Sequence, residues 1–187
     1  MGGGLRLDPL SSVPQPSNKK SSRFAASSLR GFYLLSQGIF PNGMIKATST
    51  QAITIGTETL VNFDTVVKDS PADDAGGDAD GSMASLSNQR LYVRHAGFYL
   101  ASAFIPWETD VQVDERRVRL KKNGSTFIAR GTGGVSVGTN VSSYAQVPHQ
   151  FDKGDYIEAW VQQAVDLSLN IVVLDEGPWM ALTWVGL

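Results

Sequence analysis

Residues 151–163 read FDKGDYIEAWVQQ, a Gly-Asp turn running straight into a segment whose side chains alternate. Ile157, Ala159 and Val161 fall on one side and Tyr156, Glu158, Trp160 and Gln162 on the other. A period of two with one apolar side marks a half-buried antiparallel strand. The same texture extends outward from residue 44 to the C-terminus: short runs of β-branched and aromatic residues, separated by Gly, Asn, Asp and Pro. Strands are expected at 44–55, 59–67, 89–94, 97–106, 115–122, 125–130, 141–150, 155–163, 167–174 and 178–186. Ten strands without a convincing helix predict an all-β sandwich or barrel.

Two of these strands break the one-sided rule. GFYLASAFI (97–105) puts Phe98, Leu100 and Phe104 on one side and Tyr99, Ala101, Ala103 and Ile105 on the other, and PWMALTWVGL (178–187) carries large apolar groups on both. An antiparallel sandwich buries one face of each sheet, so a strand apolar on both faces needs a second partner. Association of copies supplies it, with Tyr99, Ala101, Ile105, Trp179 and Trp184 as the outward contacts. A thicker monomeric sandwich covered by the N-terminal segment is the alternative.

Four features occur in order: Gly97-Phe98-Tyr99-Leu100, Leu120-Lys121-Lys122-Asn123-Gly124, Phe151-Asp152-Lys153-Gly154-Asp155-Tyr156-Ile157, and a closing apolar strand. Asn-Gly supplies the positive φ of a tight hairpin, and Gly-Asp turns the chain into a central strand. Together they resemble the tumour necrosis factor and complement-head superfamily. The resemblance implies a ten-stranded antiparallel jelly-roll β-sandwich that assembles as a homotrimer. It also implies that Tyr144, in the strand before the Gly-Asp turn, lies on the threefold axis. The chain has no collagen-like stalk, membrane anchor or cysteine. That layout is closer to jelly-roll modules of bacteriophage virions, in which an N-terminal arm plugs a trimeric head into capsid or tail.

The arm is expected over residues 1–47 and the head over 48–187. Residues 1–22 are rich in Gly, Ser, Asn and Lys, with Pro9, Pro14 and Pro16, and hold too few large apolar residues for a core. Residues 21–37 could form a short helix ending near Gly38. The net charge of −2 hides an asymmetry: residues 1–47 carry six basic groups against Asp8 alone, and the remainder ten basic against seventeen acidic. A basic arm suits docking on an acidic protein surface. Its expected contacts are Arg6, Lys19, Lys20, Arg23, Phe24, Arg30 and Phe32. Charged residues are only 18% of the chain, against about 25% in soluble domains, which points to surface covered by partners.

Catalytic signals are poor. His95 and His149, the only histidines, read as strand residues, so a three-histidine zinc site is excluded. Gly131-Thr132-Gly133-Gly134 lacks the Lys-Ser or Lys-Thr of a phosphate loop and reads as a flexible loop. The acidic stretch 69–81 (DSPADDAGGDADG) departs from the EF-hand spacing and reads as a solvated loop, with a cation site as the lesser alternative. Arg116, Arg117, Arg119, Lys121 and Lys122 form the densest basic run of the head and read as an edge strand protected by charge, or as a site for phosphate or an anionic glycan. With Trp107 and the 131–140 loop, Arg116, Arg117 and Arg119 are the candidate ligand surface.

The expected protein is non-enzymatic, with no cofactor and no metal: a trimeric capsid-decoration or minor-tail protein of a virion. It carries no secretion signal, spans no membrane and has nucleic acid outside its expected partners. Its partners are itself and capsid or tail subunits, with a cell-surface glycan as a further candidate. The alternative is a soluble carbohydrate-binding or adhesion module.

Overall fold

The computed structural model describes residues 41–69, 82–109, 115–133, 141–164 and 168–186. Every regular element among them is a strand: β1 (Asn42–Lys46), β2 (Gln51–Ile53), β3 (Thr59–Leu60), β4 (Thr65–Asp69), β5 (Ala84–Ser85), β6 (Arg90–Tyr92), β7 (Gly97–Trp107), β8 (Arg116–Lys122), β9 (Thr126–Gly133), β10 (Val141–Phe151), β11 (Tyr156–Gln163), β12 (Leu169–Ile171) and β13 (Trp179–Gly186). All pairings are antiparallel.

Two sheets face each other. One runs β10-β7-β13-β1-β4, with β12 and β2 attached at the Trp107 end of β7; the other runs β5-β6-β11-β8-β9, with β3 on β11. The expected strand 44–55 divides because residues 47–50 carry the chain away from β1, and 59–67 divides because β3 pairs in one sheet and β4 in the other. The head also starts earlier than residue 48. β1 is paired on both sides, Ile45 is fully buried, and Asn42–Lys46 therefore belongs to the sandwich.

The sheets sandwich one apolar core that includes Ile45, Phe63, Leu91, Tyr99, Ile105, Trp107, Leu120, Phe151, Ile157 and Leu182. Along one side the sheets come into backbone contact where β9 passes β10. A Cβ on Gly131 would lie 1.8 Å from the Tyr144 carbonyl oxygen, and one on Gly133 would lie 2.9 Å from Ser143 Oγ. Gly131 and Gly133, expected in a loop, are the last turns of a strand that only glycine lets approach so closely.

The hairpin and turn motifs meet at one end. Asn123 and Gly124 have φ of 52° and 72°, the positive values that let the chain reverse tightly between Lys122 and Thr126. Asn123 Nδ2 donates to Asp155 Oδ1 at 2.7 Å, its Oδ1 accepts the Tyr156 amide at 3.0 Å, and Lys122 Nζ pairs with Asp155 Oδ2 at 2.7 Å. Asp155 Oδ2 also accepts the Asp152 amide at 2.8 Å. Burial alone would raise the Asp155 pKa; the bonds from Lys122, Asn123 and Asp152 outweigh it and hold the carboxyl below its ordinary value.

Candidate functional site

Alternation and register fix which side chains leave the β10-β7-β13-β1 sheet. The outward positions are Ser142, Tyr144, Gln146, Pro148 and Gln150 on β10; Phe98, Leu100, Ser102, Phe104 and Pro106 on β7; Trp179, Ala181, Thr183 and Val185 on β13; and Asn42, Met44 and Lys46 on β1. Among these outward positions Lys46 alone is charged, and charge returns at Lys68 on the edge strand β4. One row runs Tyr144, Phe104, Trp179, Lys46 across four strands. Phe104 stacks on Trp179 with ring centroids 6.1 Å apart, and Tyr144 meets Trp179 edge-on at 6.1 Å. Tyr144 is 45% exposed, and Phe98 and Val185 are exposed further along the face. A cleft of about 450 Å³ lined by Phe104, Val173, Leu174, Asp175 and Glu176 adjoins this row.

Of the six expected interface residues, Tyr144 and Trp179 stand on this face. Tyr99, Ala101, Ile105 and Trp184 do not: they point into the sandwich and are buried within a single copy. The parity of β7 is therefore opposite to that expected, and on β13 the two tryptophans expected outward fall on opposite faces, Trp179 outside and Trp184 inside. Tyr99 faces inward because its hydroxyl donates to the His95 carbonyl at 2.8 Å while its ring meets Phe151 edge-on at 5.9 Å. Burial pushes its pKa up to about 12, against a lowering by that backbone bond. His95 itself sits in the turn ahead of β7 rather than in a strand. Trp184 faces inward because it lies against Gly97, whose missing side chain leaves room for the indole. Phe104 and Leu100, on the side taken as core, are the outward pair.

The candidate ligand surface is also revised. Trp107 is fully buried, and its Nε1 donates to Ser143 Oγ at 3.0 Å, whose hydroxyl donates to the Arg116 carbonyl at 2.9 Å. Arg116 is 1% exposed and faces the interior. Neither can meet a ligand from solvent. Arg117 and Arg119 do face outward, but β8 is no edge strand: it lies between β11 and β9.

The outer face of that second sheet contrasts with the first. Glu58 binds Arg119 at 2.9 Å and Lys121 at 2.7 Å; Glu115 pairs with both Arg117 and Arg130; Glu158 takes Arg90 Nε at 2.7 Å and Trp160 Nε1 at 2.9 Å. Lys121 Nζ lies 3.9 Å over the Trp160 ring and the Arg90 guanidinium 4.0 Å over Tyr156. One face of the sandwich is laced with charge and the other is nearly without it.

The expected arm contacts Arg6, Lys19, Lys20, Arg23, Phe24, Arg30 and Phe32, and the helix over 21–37, lie outside the described residues, as do residues 70–81 of the acidic loop and 134–140 of the glycine loop. Among the described residues no three His, Cys, Asp or Glu side chains group as a metal site, and no helix is long and apolar enough to cross a membrane.

The two facing antiparallel sheets and their strand order define a tumour necrosis factor-like jelly roll. The fold is similar to that of murine APRIL at pH 5.0, with a TM-score of 0.52 and 13% identity over 78% of this chain and 99% of that one. It is similar to Eiger TNF from S. frugiperda at a TM-score of 0.53, with 10% identity over 79% and 93%. No protein-family model and no curated protein matches the sequence. The likeness is one of fold alone.

Proposed function

We propose that this chain is a non-enzymatic structural module whose copies associate as a trimer through the outer face of the β10-β7-β13-β1 sheet, and which residues 1–40 attach to a larger assembly, a virion capsid or tail. The observation that carries the reading is that face's near-total lack of charge around the Tyr144–Phe104–Trp179 row. A surface meant for water is dressed with ions, as the opposite sheet is; the core of an interface loses charge and gains aromatics. Trimeric stoichiometry follows from the family resemblance of the motifs. The attachment role follows from the basic N-terminal segment joined to an acidic head.

The chain has no cysteine, so a single introduced thiol reports one position. Tyr144→Cys should be protected from maleimide at micromolar protein and cross-link between copies, while Phe127→Cys, on the opposite sheet and 55% exposed, should react freely. Equal labelling at the two sites overturns the association. Deleting residues 1–40 should then leave the trimer intact and remove the chain from purified particles; retention on particles without that segment overturns the attachment.

A further inference from the structure

We propose that the outer face of the β9-β8-β11 sheet binds an acidic polysaccharide, with Arg117, Arg119 and Arg130 as the principal contacts. The starting point is a feature that packing does not explain. Arg119 and Arg130 are directly opposite each other on neighbouring strands, and Arg117 shares the same face two residues away. Like charges at opposed positions destabilise a sheet. The crowding is felt at Arg117, whose pKa is lowered by burial and by the charges of Arg130 and Arg119.

Among the described residues, Glu58 and Glu115 each bridge two of these cations, so Arg117, Arg119, Lys121 and Arg130 stand against two acids. This positive island sits on a head that is acidic beyond residue 47, with seventeen acidic groups to ten basic. Guanidinium groups held in place by acids present their remaining N–H donors in a fixed, planar arrangement suited to sulfate or carboxylate oxygens. On a strand their spacing is about 7 Å along the chain and about 5 Å across it, which fits a ligand bearing several anionic groups rather than one.

The chemistry of the neighbours selects among polyanions. Single-stranded nucleic acid needs open aromatic faces on which bases stack. Here Lys121 caps Trp160 and Arg90 caps Tyr156, and Phe127, exposed although Arg119 and Lys121 lie 5.0 and 4.9 Å from its ring, offers a single face rather than a row. The acidic remainder of the head repels a long, uniformly charged duplex. A saccharide carrying sulfate or uronate groups needs neither stacking nor a wide basic field. The site is independent of self-association, because it lies on the sheet opposite the uncharged face.

The test uses the full chain and three probes: a heparin oligosaccharide, a neutral dextran of equal length, and an oligo-dT strand, each followed by fluorescence anisotropy over a salt series. The heparin oligosaccharide should bind, and weaken as salt rises; R117Q/R119Q/R130Q should weaken it at least tenfold. Substituting the N-terminal bases (R6Q/K19Q/K20Q/R23Q) should change it less than twofold. Arg130→Gln alone, at a 52% exposed side chain, should weaken binding several-fold without lowering the melting temperature, since it relieves a like-charge contact. That variant decides the matter if the triple one misfolds. No binding at low salt, equal binding of dextran, tighter binding of oligo-dT, or loss of binding only in the N-terminal variant would each overturn the proposal.

Discussion

Replacing Gly131 with alanine should do more damage than its single methyl group suggests. The added Cβ would lie 1.8 Å from the Tyr144 carbonyl oxygen, 2.4 Å from its carbonyl carbon and 3.0 Å from the Ala145 nitrogen, all backbone atoms that no rotamer change can move aside. Restoring ordinary contact requires β9 and β10 to part by about 1.5 Å. Yet β10 is held to β7 from Val141↔Trp107 to Phe151↔Gly97, and β9 to β8 from Arg116↔Gly133 to Lys122↔Thr126. Overpacking of this kind costs about 1–3 kcal/mol, and each ladder hydrogen bond given up adds about 1. The expected loss is about 3–5 kcal/mol, a large part of a domain's 5–15. Urea unfolding at one fixed protein concentration, followed by tryptophan fluorescence, should show the midpoint falling by about 2 M. Gly154→Ala is the control: nothing lies within 4 Å of its Cβ, so only its φ of 94° is strained, at about 1–2 kcal/mol. A Gly131→Ala midpoint at or above that of Gly154→Ala would refute the account of how the sandwich closes.

Other outcomes follow from the same geometry. Ser143→Ala strips the buried Trp107 Nε1 of its acceptor and should cost about 1–3 kcal/mol in the same unfolding assay. Asp155→Asn loses the Lys122 pair; because the Asp155 pKa is lowered in the fold, the stabilisation is present above the unfolded value near 3.9 and disappears as pH falls through the folded one. Its stability deficit of about 1–2 kcal/mol at pH 7 should therefore shrink by pH 3. Removing residues 1–40 keeps every strand of the sandwich and should leave a soluble, folded head, whereas removing 1–47 also deletes β1 with the buried Ile45 and should give insoluble protein.

The fold is legible where the chemistry is local. Asn123-Gly124 and Gly154-Asp155 demand their turns, and Tyr156–Gln163 shows its period, so the strands from β6 to β13 fall where the sequence places them, except that β9 runs on through Gly131 and Gly133. What the sequence does not carry is parity. On β7 both sides are apolar, and counting large side chains cannot choose between Tyr99 and Leu100 as the inward one. The choice is made by the His95 carbonyl that receives the Tyr99 hydroxyl and by the Gly97 surface that receives Trp184. Trp107 and Arg116 look solvent-directed because a large polar-tipped residue usually is; the burial of Trp107 rests on a distant partner, Ser143. Glu58 and Arg130 are silent in the sequence for the same reason: their roles exist only once β8 has neighbours on both sides.

The most direct test is the mass of the chain in solution. Sedimentation equilibrium at micromolar concentration should return three times the chain mass for the native protein and one chain mass for Tyr144→Asp, which places a charge in the aromatic row, with native circular dichroism in both. A native protein that sediments as one soluble copy would mean that the uncharged face of the β10-β7-β13-β1 sheet is stable in water, and would contradict the account.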